Sequence, residues 1–352
     1  MEVFLDALSG AVLITGLVII MMMMLEYINV SSSGRMGAFL GRSRVGQVLL
    51  GGLLGVLPGC IGGFACVSLY SHGMISFGAL IAMMIASSGD EAFVMLALFP
   101  GKALLIFAAL LVAGIAAGLL VDALSPKQKH RHSAACDRHF EVHGGDRHGI
   151  EASWGNLRRP SLQRVVLLAA IALFIVALAF GMLEHDHQTE AGGGFNIFNE
   201  YWVNLLFALC SLFALWFVAV GSEHFVQEHL WEHVVGKHCL RIFLWSFGAL
   251  LLIGMAMHYF DLKQIVSGNI ALMILLATLV GLIPESGPHL IFVTLFAGGL
   301  IPPSVMLASC ISQDGHASLP LLAEDKGAFV KAKLLNAAVA AAAGYALYFA
   351  GV

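Results

Sequence analysis

Apolar and polar positions along these 352 residues fall into blocks, without the short period of a half-buried surface helix or strand. Uninterrupted apolar runs cover 4–25, 103–124, 162–183, 201–221, 239–258 and 329–350. Each is close to the roughly 20 residues that a helix needs to cross a bilayer. The regions 46–71, 74–99, 268–283, 284–300 and 302–323 are just as apolar but broken. The breaks fall at Pro58-Gly59, Gly89-Asp90, Pro284 to Pro288, Pro302-Pro303 and Gly315, residue types that end or kink helices. Long runs select helices over the ten-residue alternation of a membrane barrel. The pattern predicts an all-α polytopic membrane protein of about ten spans, some of them made of half-helices.

One broken stretch occurs twice. Residues 55–97 align with 281–323 without a gap, at a constant offset of 226, and eleven of the 43 positions are identical, among them Gly55/Gly281, Pro58/Pro284, Gly73/Gly299 and Gly89/Gly315. The expected organisation is a single membrane domain, 1–352. It comprises repeat 1 (about 46–124), a hydrophilic loop (about 125–160), linking helices (about 161–260) and repeat 2 (about 268–350). Repeats with helix breaks in matching places point to a substrate site between the halves of a transporter.

Basic residues orient the chain. Arg35, Arg42 and Arg44 follow the first run, and eight Lys and Arg lie between Lys127 and Arg164, so both segments are expected on the cytoplasmic side. The loop 184–200 is acidic, with Glu184, Asp186, Glu190 and Glu200, and is expected outside. With both basic segments inside, residues 45–124 cross an even number of times, which makes the repeats inverted, each with a re-entrant hairpin.

Composition sharpens this. The chain is 59% hydrophobic and 11% charged, with a mean hydropathy of +0.88, against about 25% charge in a soluble domain. A net charge of −4 gives nucleic-acid binding no electrostatic support. The six cysteines at 60, 66, 136, 210, 239 and 310 form no C-x-x-C pair, which argues against a disulfide framework or a thiolate metal relay. No G-x-x-x-x-G-K-[ST] pattern suggests ATP hydrolysis. The first apolar run lacks a basic leader and a cleavage site, and is expected to be a span.

Ionisable groups within apolar segments cost several kcal/mol, on the order given by insertion scales, unless paired, solvated or coordinating. Asp90 and Glu91 follow Ser-Ser-Gly in repeat 1, and Asp314 and His316 flank Gly315 in repeat 2. A broken helix frees carbonyls that can join such side chains around a cation; the bland alternative is capping of half-helices. Glu285 and His289 sit four apart beside Pro288, where they could line the path, hold metal or carry a proton. Pro288 makes regular helix there doubtful. A third constellation lies outside the repeats. Glu228, His229, Glu232 and His233 share one face of an α-helix over 222–238, suited either to a divalent metal or to an interfacial amphipathic helix. The loop 125–160 carries His130, His132, His139, His143 and His148, either as a linker or as low-affinity metal capture.

At the stretches LPGCIGGF, SSGDEAFVMLA, EHLWEHVVGKHCLRIFLWSFGALLLI, IPESGPHLIFVTLFAGGL and SQDGHASLPLLA the chain resembles a ten-transmembrane heavy-metal exporter family of bacteria. Members of that family go under the names of arsenic efflux protein and manganese transporter. The resemblance implies efflux of a heavy-metal species by a secondary mechanism; it supplies no ligand set. Asp, Glu and His with backbone carbonyls suit Mn²⁺, with Zn²⁺ or Fe²⁺ next; the alternative, an arsenite or organoarsenical efflux permease, would use thiols such as Cys60, Cys66 and Cys310. The expectation is therefore a multi-pass transporter of the bacterial inner membrane and not an enzyme. It has no cofactor beyond the metal it moves, and its partners are the bilayer, a coupling proton and a second copy in a homodimer. An intramembrane hydrolase built on 228–233 is disfavoured by the polarity of that segment.

Overall fold

In the computed structural model the described residues are 2–31, 43–89, 91–124, 156, 160–179, 201–259, 269–284 and 287–351. Every regular element among them is helical. The first part comprises α1 (Glu2–Ser31), α2 (Arg44–Val56), α3 (Ile61–Ser71), α4 (Phe77–Ala86), α5 (Glu91–Leu98) and α6 (Pro100–Leu124). Next come α7 (Leu162–Ala179), α8 (Tyr201–Val220), a π-helix (Phe225–Cys239) and α9 (Leu240–Tyr259), which continues it without interruption. The last part comprises α10 (Ile270–Val280), α11 (Gly287–Ala297), α12 (Pro303–Ser312), a 3₁₀ turn (Gly315–Ala317), α13 (Ser318–Glu324) and α14 (Lys326–Phe349).

Five described helical stretches are long and apolar enough to cross a membrane: Val3–Ile28, Pro100–Leu124, Leu162–Ala179, Phe225–Leu252 and Lys326–Phe349. The broken regions resolve into half-helices of 7 to 13 residues. Their ends are made locally. Ser43, Ser76 and Asn269 cap α2, α4 and α10 through side-chain oxygens, and Pro303 opens α12, where its missing N–H costs nothing. Pro288 likewise falls in the first turn of α11, so His289 is helical and the doubt raised by that proline is corrected.

α2 and α3 fold back on each other through 57–60, and α4 packs on both α2 and α6. Asp122 near the end of α6 accepts hydrogen bonds from Ser76 Oγ (2.6 Å) and Gly78 N (3.0 Å), and Arg44 reaches its carbonyl. That end of the molecule, where the Arg- and Lys-rich stretches 32–42 and 125–160 join the described helices, is the basic end. α6 starts at the opposite end, where Lys102 lies over the ring of Phe296 and Phe99 packs edge-on against it. α14 runs the other way. It starts at the basic end beside Glu324, and near its far end Gly344 meets α10 and α12. Shifting α3 and α4 by the sequence offset of 226 superposes the bounds of α3 on α11 and of α4 on α12.

The contacts follow the same offset. A Cβ on Gly118 would meet Gly78 O, Ala82 Cβ and Val48 Cγ1; one on Gly344 would meet Ser304 O, Ala308 Cβ and Ile274 Cγ2. One apolar core joins α2–α6 to α10–α14, and a second joins α1, α7–α9 and the π-helix to α3 and α13.

Candidate functional site

Two backbone breaks meet in the interior. α4 stops at Ala86, and Ser87-Ser88-Gly89 lead to Glu91 at the start of α5; α12 stops at Ser312, and Gln313-Asp314-Gly315 lead into the 3₁₀ turn. Gly89 (φ 57°) and Gly315 (φ 52°) take the left-handed conformation that glycine adopts without a Cβ penalty. Gly59 N donates to Gly89 O at 3.0 Å, tying the turn of the α2–α3 hairpin to the first break. The place a Gly89 Cβ would occupy is 3.6 Å from both Glu91 Oε2 and Gln313 Oε1, so the two breaks bring these side chains together at Gly89. Across from them, the Cβ position of Gly63 is 2.5 Å from Ala317 Cβ, which seats the start of α3 on the second break.

Glu91, Gln313 and Asp314 are all buried, each with 2% of its surface exposed. Asp314 is held by α14: Lys333 Nζ lies 2.7 Å from its Oδ2, and Asn336 Nδ2 donates to its Oδ1 at 2.5 Å. Lys333 also donates to Gly281 O at 3.2 Å, where α10 ends. Ser312 Oγ donates to Thr278 O, and His289 Nδ1 is 3.2 Å from Ser309 Oγ. His316 is half-buried beside Gly315. The neighbourhood is thus polar, oxygen-rich and closed off inside an apolar core.

Of the residues singled out from sequence, the structure gathers Glu91, Asp314, His316 and His289 around these breaks, without packing any three of their ligand atoms into a ready cation cage. Asp90 and Glu285 lie outside the described residues, as do the histidine-rich 125–155 and the acidic loop 184–200. Lys333 and Asn336 were missed. Their signal was available, since a lysine and an asparagine three apart inside an apolar run face one side of a helix and rarely sit there without partners.

The 225–239 segment departs from the sequence expectation. It is a π-helix that continues straight into α9, not a separate interfacial helix. Glu228 and Glu232 are exposed; His224 pairs with Glu228 at 3.1 Å, and His229 Nδ1 meets Glu26 Oε1 of α1 at 2.6 Å. Glu228, His229, Glu232 and His233 therefore do not form one four-ligand face. His233 turns instead toward His72 and His238. Among the described residues this is the one trio of His, Cys, Asp or Glu with ligand atoms all within 4.8 Å of one another. The cause is winding. A π-helix has about 4.4 residues per turn, so the five-residue step from His233 to His238 nearly closes a turn, whereas on an α-helix it leaves them about 140° apart. Cys60, Cys66 and Cys310 are buried, and no trio of thiols converges among the described residues.

A helical multi-pass membrane protein with paired half-helix breaks enclosing buried charge is the class that fold and site define. The chain belongs to the family described as "Putative, 10TM heavy-metal exporter", whose model matches residues 1–350. No curated protein and no solved structure matches it.

Proposed function

We propose that the chain is a secondary transporter that exports a divalent transition-metal ion, with Mn²⁺ the first candidate, across a bacterial inner membrane. The observation that carries this reading is the meeting of two glycine breaks in the core with Glu91, Gln313 and Asp314 buried around them. Half-helix ends supply unpaired backbone dipoles, and the acidic side chains supply charge for a cation. An oxygen-rich site suits Mn²⁺ or Fe²⁺ better than a thiophilic species, and among the described residues the cysteines give arsenite no three-thiol cradle. Asp90, Glu285, His316 and His289 complete the set of groups that would face the ion along its path.

The scaffold is an inverted duplication in this reading. α3 and α4 match α11 and α12 in their bounds at the 226 offset, the flanking helices match within two residues, and the glycine contacts of Gly118 and Gly344 correspond, while α6 and α14 run in opposite directions. The basic end is cytoplasmic by the distribution of Lys and Arg. Lys333 occupies the cation position beside Asp314 when the site is empty, and an arriving metal displaces it. A proton taken up by Asp314 on the far side releases the metal and couples the cycle to the proton gradient.

The test is uptake into proteoliposomes of the purified full chain, resolved by metal. Flux of Mn²⁺, Fe²⁺ or Zn²⁺ is expected to exceed that of empty vesicles and to fall when the pH gradient is collapsed. Fluxes of all three equal to empty vesicles, or arsenite flux in their place, would overturn the reading.

A further inference from the structure

His72, His233 and His238 come from two elements that the sequence separates widely. His72 caps the end of α3, while His233 and His238 lie on consecutive turns of the π-helix. The three rings surround one point, with centroid separations of 5.7 Å (His72–His233), 5.8 Å (His72–His238) and 5.7 Å (His233–His238). Two are oriented from behind. His72 Nδ1 donates to Ser68 O at 2.7 Å, which leaves the lone pair on its Nε2. His238 Nδ1 donates to Glu324 Oε1 at 2.7 Å, and the other oxygen of Glu324 is held by Arg241 Nη1 at 3.1 Å. A carboxylate behind an imidazole is how proteins fix the tautomer of a metal ligand and raise its basicity.

We infer that His72, His233 and His238 form a second, three-imidazole site at the basic end, taking a borderline divalent cation of the Zn²⁺, Co²⁺ and Ni²⁺ type. Imidazole suits these ions, and three such ligands leave a fourth position for water or for passage onward. A tetrahedral ion with bonds of about 2.0–2.1 Å wants its ligand atoms about 3.4 Å apart, so the trio has to close by a little over an ångström, within the reach of side-chain rotation. The exposed Lys237 opposes binding. Its Nζ lies 3.2 Å from His233 Nδ1, and it must swing away when the cation arrives.

The position gives the site a role. α3 runs from the second break, where Gly63 touches Ala317, to His72; α13 runs from the same break to Glu324. Each ends at the histidine trio, about 16 Å from the breaks for the eleven residues of α3. Resting on the export reading, the trio is where a cytoplasmic cation is first held before it reaches Glu91 and Asp314. The binding itself does not depend on that reading.

The test is a Co²⁺ titration of the detergent-solubilised full chain, followed by the visible absorption of four-coordinate cobalt. The wild type is expected to give the band. His238→Ala and His72→Ala should lose it, and Glu324→Gln should weaken binding about 10–100-fold. Thermal unfolding without metal reports whether each variant is folded. Lys237→Ala changes an exposed residue and keeps the proposal falsifiable should the histidine variants misfold: tighter Co²⁺ binding supports the site, and unchanged or weaker binding overturns it. A wild type without the band, or folded histidine variants that keep it, would also overturn it. Asp314→Asn is expected to retain the band. A wild type that shows the band but moves none of Mn²⁺, Fe²⁺ and Zn²⁺ above empty vesicles would defeat the export reading and leave this site standing.

Discussion

Lys333→Met is expected to lower the unfolding free energy by about 3–5 kcal/mol, the range for removing one partner of a buried ion pair. Lys333 and Asp314 have side chains only 6% and 1% exposed and lie 2.7 Å apart, so neither charge has water to fall back on. The substitution leaves the carboxylate with Asn336 alone and frees Gly281 O, where α10 ends. The control is the double variant Lys333→Met, Asp314→Asn, because removing both charges together is often neutral. It should recover most of the loss. Thermal and denaturant unfolding in detergent measures both. A single variant as stable as wild type would mean that the pair carries no weight in the fold.

Gly62→Ala is expected to cost about 3 kcal/mol or more, at or beyond the upper end of the usual range for overpacking. A Cβ there would sit 1.8 Å from Leu54 O and 2.7 Å from Leu54 C. The obstacle is backbone of the facing arm of the α2–α3 hairpin, which cannot rotate aside as a side chain would. Relief requires the arms to separate. That would pull on 57–60 and on the Gly59–Gly89 hydrogen bond, which holds the turn to the first break. Reduced yield of folded protein, with weakened metal flux in what remains, is the expected outcome; wild-type melting behaviour would contradict this account of the hairpin.

How much of this was readable from sequence differs from part to part. The long spans were, because a bilayer demands runs of apolar residues whatever their neighbours. The breaks were also legible: Gly89 and Gly315 lie between apolar half-runs, and the structure gives both positive φ. The partners at the breaks were less so. Asp314 stood out as an acid in an apolar segment, but its pairing with Lys333 depends on how α12 and α14 pack, and at the aligned positions of α6 the residues are Phe107 and Leu110. The histidine trio was least legible. His233 was noticed on α-helical geometry, which grouped it with Glu228, His229 and Glu232. The π winding of the segment puts His238 beside it, and only tertiary packing brings His72 from the end of α3.

The most direct test of the central claim is Mn²⁺ flux into proteoliposomes containing either wild type or Asp314→Asn, at matched density of folded protein. Asparagine keeps the shape and a hydrogen-bonding oxygen but removes the charge that holds Lys333 and would hold the metal. If the ion passes between the breaks at Gly89 and Gly315, the wild type moves Mn²⁺ and Asp314→Asn falls to the level of empty vesicles. Equal flux through both proteins would contradict the account.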